Sequence, residues 1–199
     1  VHDGLAQRIN GRVIVGNFPL VSPLPLTLLL VAFGLAAWAN GMFFLGVGAT
    51  AAEGGENPVK TVGVISLVAG VVGFVNVGYM IFIVGGNGVA VAALATLYAV
   101  FFTSLGISAI WGLDLRPIAN ICLPIAVGSL PFITKFFDND YLFQSIMVVW
   151  FLAFIAIFLT VYGRFQAKWL GWILLVTSVW TFFLPALRIA LGLTFLTNS

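Results

Sequence analysis

Long apolar stretches alternate with short polar ones along this chain, and the charged residues mark the borders between them. No Asp, Glu, Lys or Arg lies between Arg12 and Glu53, Lys60 and Asp114, Arg116 and Lys135, Asp140 and Arg164, or Lys168 and Arg188. A helix needs about 20 apolar residues to cross the hydrocarbon layer of a bilayer. On that scale the spacing predicts a first span over about 24–47, with Pro19, Pro23 and Pro25 as an extended lead-in or first helical turn. Residues 50–58 are a loop by composition, and Pro58 opens a second span reaching about 84. The charge-free stretch 61–113 is too long for one helix and suits two, divided at Gly85-Gly86-Asn87-Gly88; a third span then covers about 89–111.

Gly112-Leu113-Asp114-Leu115-Arg116-Pro117 forms the next connection, with Pro117 at a helix start. The fourth span runs to about 136 with Pro124 and Pro131 inside it, since a membrane helix tolerates proline where neighbours satisfy the freed carbonyls. Asp138-Asn139-Asp140 reads as a turn with helix N-caps. The fifth span covers about 141–163 and the sixth about 168–196, kinked at Pro185. The predicted fold class is an all-α integral membrane protein, a bundle of six transmembrane helices over residues 24–199. Residues 1–23 form an N-terminal arm, flexible or interfacial, without the basic region, apolar core and cleavage site of a signal peptide.

Composition makes the membrane assignment firm. Of 199 residues, 62% are hydrophobic and 7% charged, and the mean hydropathy is +1.17. Soluble domains carry about 25% charged residues. Eight Lys/Arg and six Asp/Glu cannot coat a water-soluble globule of this size, so a soluble enzyme and a nucleic-acid binder are excluded. The net charge of +2 points to no polyanionic partner. Cys122 is the only cysteine and His2 the only histidine, which leaves no disulfide framework, no multi-cysteine metal site and no histidine relay. No metal, no cofactor and no catalytic residue are expected. With six spans the termini share one side. Arg8, Arg12 and Lys135 lie there, and Lys60, Arg116, Arg164 and Lys168 lie opposite. By the positive-inside rule, four against three predicts both termini outside, in a bacterial cytoplasmic (inner) membrane.

Polar residues inside the spans are the best clue to a pathway, because hydrocarbon penalises them. Asn40 and Asn76 admit two readings: hydrogen bonding to a small polar solute, or tying two helices together. Ser66, Thr96, Thr103, Ser104, Ser108, Thr177 and Thr181 are weaker signals, since hydroxyls commonly bond their own helix backbone. Arg188 is expected to snorkel to the interface at the end of the sixth span. Met147, Trp150 and Phe154 repeat at three and four residues, as Tyr98 and Phe102 do at four. Such stripes are either packing or the flat walls of a slot for a planar solute. Trp169 and Trp172 have the placing of interface anchors. No span carries an acid, a row of arginines or a filter-like motif, which argues against an ion-coupled pump or an ion channel. A pathway for a small neutral solute fits best.

Trp111-Gly-Leu-Asp-Leu-Arg-Pro117, between two spans, resembles the loop motif of the amide and urea channels, the family of acetamide transporters and proton-gated urea channels. Asn40-Gly41, Asn76 after a small-residue stretch, and Pro185-Ala186 at its spacing from Trp172 agree with it, over residues 26–196. The resemblance implies a six-helix protomer, a homo-hexameric ring with a pore in each protomer, and passive movement of urea or short amides through two constrictions. Carried across, Leu30, Phe33 and Ala37, Tyr98 and Phe102, and Met147, Trp150 and Phe154 occupy lining positions. An amide would pass between Tyr98/Phe102 and Trp150/Phe154, with Asn40, Asn76 and Thr177 replacing some of its lost hydrogen bonds. Asp114 and Arg116 have two readings, a structural ion pair or cap ordering the loop, and a gate.

The sequence also departs from the family pattern. Thr177 stands where the acid-gated urea channels carry a buried glutamate, and Met147 and Phe154 stand where they carry tryptophans. Their outer histidines and carboxylates have only His2, Asp3, Asp138 and Asp140 as counterparts, so opening by acid is not expected. Two rivals remain. One is a proton-coupled acetate or monocarboxylate transporter of the other six-helix hexameric type, whose N-terminal motif Asn17-Phe18-Pro19 resembles loosely. The other is a structural membrane subunit that transports nothing.

Overall fold

Each helix starts and stops where local chemistry dictates. In the computed structural model, which describes residues 7–9, 12–14, 24–84, 88–135 and 141–191, helix α1 spans Leu24–Phe44. It stops short of the expected residue 47 because Gly46 turns left-handed at φ +86°. The Gly46 N–H then donates to Phe43 O and the Val47 N–H to Met42 O, which satisfies carbonyls the helix end would leave orphaned. The same closure ends α3 (Gly88–Trp111) at Gly112 and α6 (Tyr141–Val161) at Gly163.

Helix α2 (Pro58–Tyr79) starts on Asn57, whose side chain accepts the Val59 N–H at 3.1 Å, with Pro58 in the first turn where no donor is missed. A π-helical turn, Met80–Val84, completes that span at its expected end. The expected turn at Gly85-Gly86-Asn87 lies outside the described residues, and so does the one at Asp138-Asn139-Asp140.

The fourth span differs from expectation. Pro131 does not sit inside one helix but ends it. Helix α4 (Arg116–Ser129) breaks at Leu130, and α5 (Pro131–Lys135) restarts on the proline. Proline supplies no N–H, and its ring clashes with the carbonyl four residues back. Pro124, by contrast, is carried within α4. The kink expected at Pro185 is absorbed upstream. Helix α7 (Ala167–Thr177) widens into a π-helical segment, Ser178–Phe183, and α8 (Leu184–Ala190) resumes with Pro185 in its first turn. Residues 192–199 lie outside the described part, so the sixth span is described only to residue 191.

Among the described residues, six helices are long and apolar enough to cross a membrane. They form a closed ring in chain order: α1 packs on α2, α2 on α3, α3 on α4, α4 on α6, α6 on α7, and α7 with α8 back on α1. Large apolar side chains such as Val75, Phe82, Leu152 and Val176 point outward, as in a protein whose solvent is lipid. Before α1, Gln7–Ile9 (β1) and Arg12–Ile14 (β2) pair antiparallel, so this part of the arm is a short ribbon outside the helical fold.

Alternating helix direction defines two ends of the bundle. One, the loop face, carries residues 45–57, 112–115 and 162–166; the other carries the start of α1 and the end of α8. Arg188 sits in the last turn of α8, on the terminal side. Counting it with Arg8, Arg12 and Lys135 makes four basic residues against Lys60, Arg116, Arg164 and Lys168. The even split removes the charge argument for orientation.

Candidate functional site

The buried aromatic stripes of α3 and α6 converge inside the ring. Tyr98, Phe101 and Phe102 come from α3, Trp150 and Phe154 from α6, Phe33 from α1 and Phe182 from the π-helical segment; each is at most 7% exposed. Tyr98 and Trp150 lie 4.3 Å apart between ring centroids, Trp150 and Phe182 5.4 Å, Phe33 and Phe102 5.0 Å, and Phe33 and Phe182 6.1 Å. These separations are ring contacts. Together they make a cross-bundle layer part-way along the spans.

A cavity of about 80 Å³ runs from this layer toward the loop face. Its walls are Ala37, Asn40 and Phe44 of α1, Leu105 of α3, Ile118 and Ala119 of α4, Ile157 and Val161 of α6, and Leu170, Leu174 and Thr177 of α7, with Tyr98, Phe102, Trp150, Phe154 and Phe182 at its inner end. A water needs about 10–15 Å³ of such space, so the cavity has room for a solute of a few heavy atoms. Among the described residues, the wall carries no Asp, Glu, Lys, Arg or His.

Four wall residues bring polar side-chain atoms, and two of them are engaged elsewhere. Trp150 donates its Nε1–H to Thr181 Oγ1 at 2.7 Å, and Tyr98 Oη lies 2.7 Å from Ser129 Oγ. Asn40 and Thr177 remain. Asn40 Nδ2 donates to Ala36 O at 2.8 Å and to Ser66 Oγ at 2.9 Å. A backbone carbonyl only accepts, so this bond fixes which way the amide points. Both Asn40 donors are thereby engaged, which leaves Oδ1 as the acceptor of this wall residue. Asn40 thus ties α1 to α2, as one of the two sequence readings has it, and is also a residue of the cavity wall. Thr177 Oγ1 is buried without a hydrogen-bond partner.

The other sequence-derived residues fall elsewhere. Ala37 lines the cavity, whereas Phe33 belongs to the ring layer, against Phe102 and Phe182, without bordering the cavity. Leu30 and Met147 are buried in the packed half beyond it and do not border this cavity. Asn76 is buried on the face of α2 that also carries Gly70 and Gly73, away from the cavity wall.

Asp114 accepts the Arg116 backbone N–H at 2.9 Å and forms an ion pair with its guanidinium at 2.6 Å. The hydrogen bond from the Arg116 side chain holds the Asp114 carboxyl below its ordinary range. This pair, with Pro117 in the first turn of α4, orders the loop, and the adjoining Leu115, Ile118 and Ala119 border the cavity.

Sequence reasoning missed Phe182, Phe101 and Ser129, and gave Thr181 little weight. Phe182 escapes a 3.6-residue register because the π-helical segment adds a residue to the turn. Ser129 and Thr181 each bond a carbonyl four residues back, the usual reason to dismiss a hydroxyl, yet their oxygens also hold rings from other helices.

Comparison with known proteins bears on this arrangement. A family model described as AmiS/UreI family transporter matches residues 24–193. No curated protein matches the sequence. The cryo-EM structure of the Helicobacter pylori urea channel in its closed state superposes with a TM-score of 0.69 at 17% identity, over 83% of this chain and 97% of that one. The crystal structure of the urea channel from the same gastric pathogen gives 0.67 at 18%, over 84% and 98%. At such identities the likeness speaks for the fold. With the family match extending over all six helices, the chain belongs to the AmiS/UreI family of transporters.

Proposed function

We propose that the protein is a passive channel for small neutral amides, urea and acetamide among them, and that acid does not open it. The observation that carries this reading is the cavity: rings at its inner end, no charged residue among its described lining, and two polar wall residues with spare capacity, Asn40, whose amide donors are engaged, and Thr177, whose buried Oγ1 has no partner. An amide is planar and neutral, and its N–H groups match an acceptor whose own donors are engaged. A carboxylate would bring lone pairs against Asn40 Oδ1 and shed its hydration without a cation to replace it, which costs several kcal/mol. That disfavours the acetate transporter. Sparse, weak sites suit a channel, because tight binding slows release. The structural neighbours are urea channels, in keeping with this solute class. The family resemblance supports a homo-hexamer with one pathway in each protomer.

Stopped-flow measurements on proteoliposomes test the reading. Urea and acetamide should equilibrate rapidly, at rates unaffected by an uncoupler and similar at pH 7 and pH 5. Acetate flux that collapses with an uncoupler would establish the coupled transporter instead. Absence of flux for all three solutes would leave the structural subunit.

A further inference from the structure

Tyr98 and Trp150 meet in the middle of the ring layer, 4.3 Å apart, at the inner end of the cavity. Each ring is held by a hydroxyl from another element. Thr181 Oγ1 donates to Thr177 O at 2.7 Å and accepts the Trp150 Nε1–H at 2.7 Å. Ser129 Oγ donates to Ile125 O at 2.9 Å and faces Tyr98 Oη at 2.7 Å. With the Ser129 proton directed at its own helix, the Tyr98 phenol is the donor of that contact. The two devices have one construction: a hydroxyl anchored four residues back on its own chain, its oxygen turned to a ring across the bundle. Ser129 and Thr181 are both fully buried. A buried indole N–H or phenol without a partner is costly, so neither ring turns freely while its hydroxyl is present. Thr181 also lies in the π-helical segment, which Ser178 Oγ ties to Gly34 O of α1 at 2.8 Å.

We propose that Thr181 and Ser129 are positioning residues that pin Trp150 and Tyr98 across the pathway and so set the largest solute it passes. The proposal rests on the channel reading. Neither residue borders the cavity, so each acts through its ring. Thr181→Val keeps the side-chain shape and removes the hydroxyl, and Ser129→Ala does the same for the other pin. Thr181→Ser retains a hydroxyl and serves as the rescue.

The experiment compares permeability to urea and to N,N′-dimethylurea in proteoliposomes. Solvent exchange of the Trp150 indole proton is followed alongside by ¹⁵N-indole NMR, assigned with Trp150→Phe. In T181V and S129A the dimethylurea-to-urea ratio should rise about fivefold, the factor for losing one hydrogen bond of about 1 kcal/mol. T181S should restore the ratio, and indole exchange should quicken in T181V alone of the two Thr181 variants. An unchanged ratio in folded T181V and S129A overturns the proposal, whatever the exchange rate. If the wild-type protein passes neither solute, the channel reading fails. Indole exchange then decides the pin by itself, with equal rates in T181V and wild type overturning it.

Discussion

Helix α3 has two faces that solve opposite problems. Toward α2 the backbones nearly touch. A Cβ on Gly106 would collide with the Leu67 backbone and come within 2.6 Å of Gly63 O, and one on Gly70 would meet Thr103. Toward α1 and α6, α3 instead presents Tyr98, Phe101, Phe102 and Leu105, and the helices stand apart around a cavity. Lipid is as apolar as a helix surface, so helices gain little in a bilayer by burying hydrophobic area and associate through close packing of small residues. The glycine seam follows that rule and makes a rigid wall. The aromatic face departs from it. Rings hold the backbones apart, buried hydroxyls hold the rings, and the space left over is the candidate pathway.

The strongest way to break this contrast is to place bulk in one region and remove it from the other. Gly106→Leu should yield no folded protein, because the obstruction is backbone and cannot swing aside; a monodisperse peak of folded variant in detergent would refute the seam. Trp150→Ala should still fold and assemble while altering amide permeability or selectivity several-fold. Unchanged rates and selectivity in that variant would show that the ring layer does not limit passage.

Thr177→Val sharpens the comparison with a smaller effect of opposite sign on two readouts. It removes a buried hydroxyl that has no partner, so thermal stability should hold or rise by about 1 kcal/mol. Acetamide flux should fall about five- to tenfold, the worth of one hydrogen bond to the solute. Equal flux with raised stability would place the solute away from Thr177.

The smallest effect is that of pH. Among the described residues the cavity wall has no carboxylate or imidazole, and the paired carboxylates Glu56 and Asp114 lie at the loop face. Hydrogen bonds from Lys60 and Arg116 lower their pKa below the ordinary 4.5 and 3.8. A lowered folded-state pKa means that the stabilising pairs are fully present above those ordinary values and are lost as pH falls through the folded ones. Flux should therefore change little from pH 7 to 5, with loop loosening confined to pH below about 4. A steep rise in flux between pH 7 and 5 would contradict this.

Much of the fold is legible in the chain because charge is so scarce. The charge-free intervals, the Pro58 helix start and the Gly112 and Gly163 stops place the helix ends within a few residues. The stripes at Tyr98/Phe102 and Trp150/Phe154 point at the rings the bundle brings together. Leu30, Phe33 and Met147 match the same helical faces, yet they are buried without bordering the cavity, because periodicity fixes a side chain's direction and not its depth. Pro131 and Pro185 are visible as disturbances, but whether proline breaks a helix or is absorbed by a π-helical segment depends on what neighbours the freed carbonyls find.

The sequence by itself therefore determined the solvent of this protein, the number of its spans and the absence of charge from their middles. These are properties of single segments against lipid, set by transfer free energies that add residue by residue. Only the tertiary structure decided which side chains line the cavity and what hydrogen-bond capacity they keep. Asn40 is left with its acceptor because Ala36 and Ser66 take its donors, and Trp150 has no donor left because Thr181 takes it. Hydrogen-bond capacity belongs to a residue, but what remains of it for a solute is settled by the neighbours that use it first.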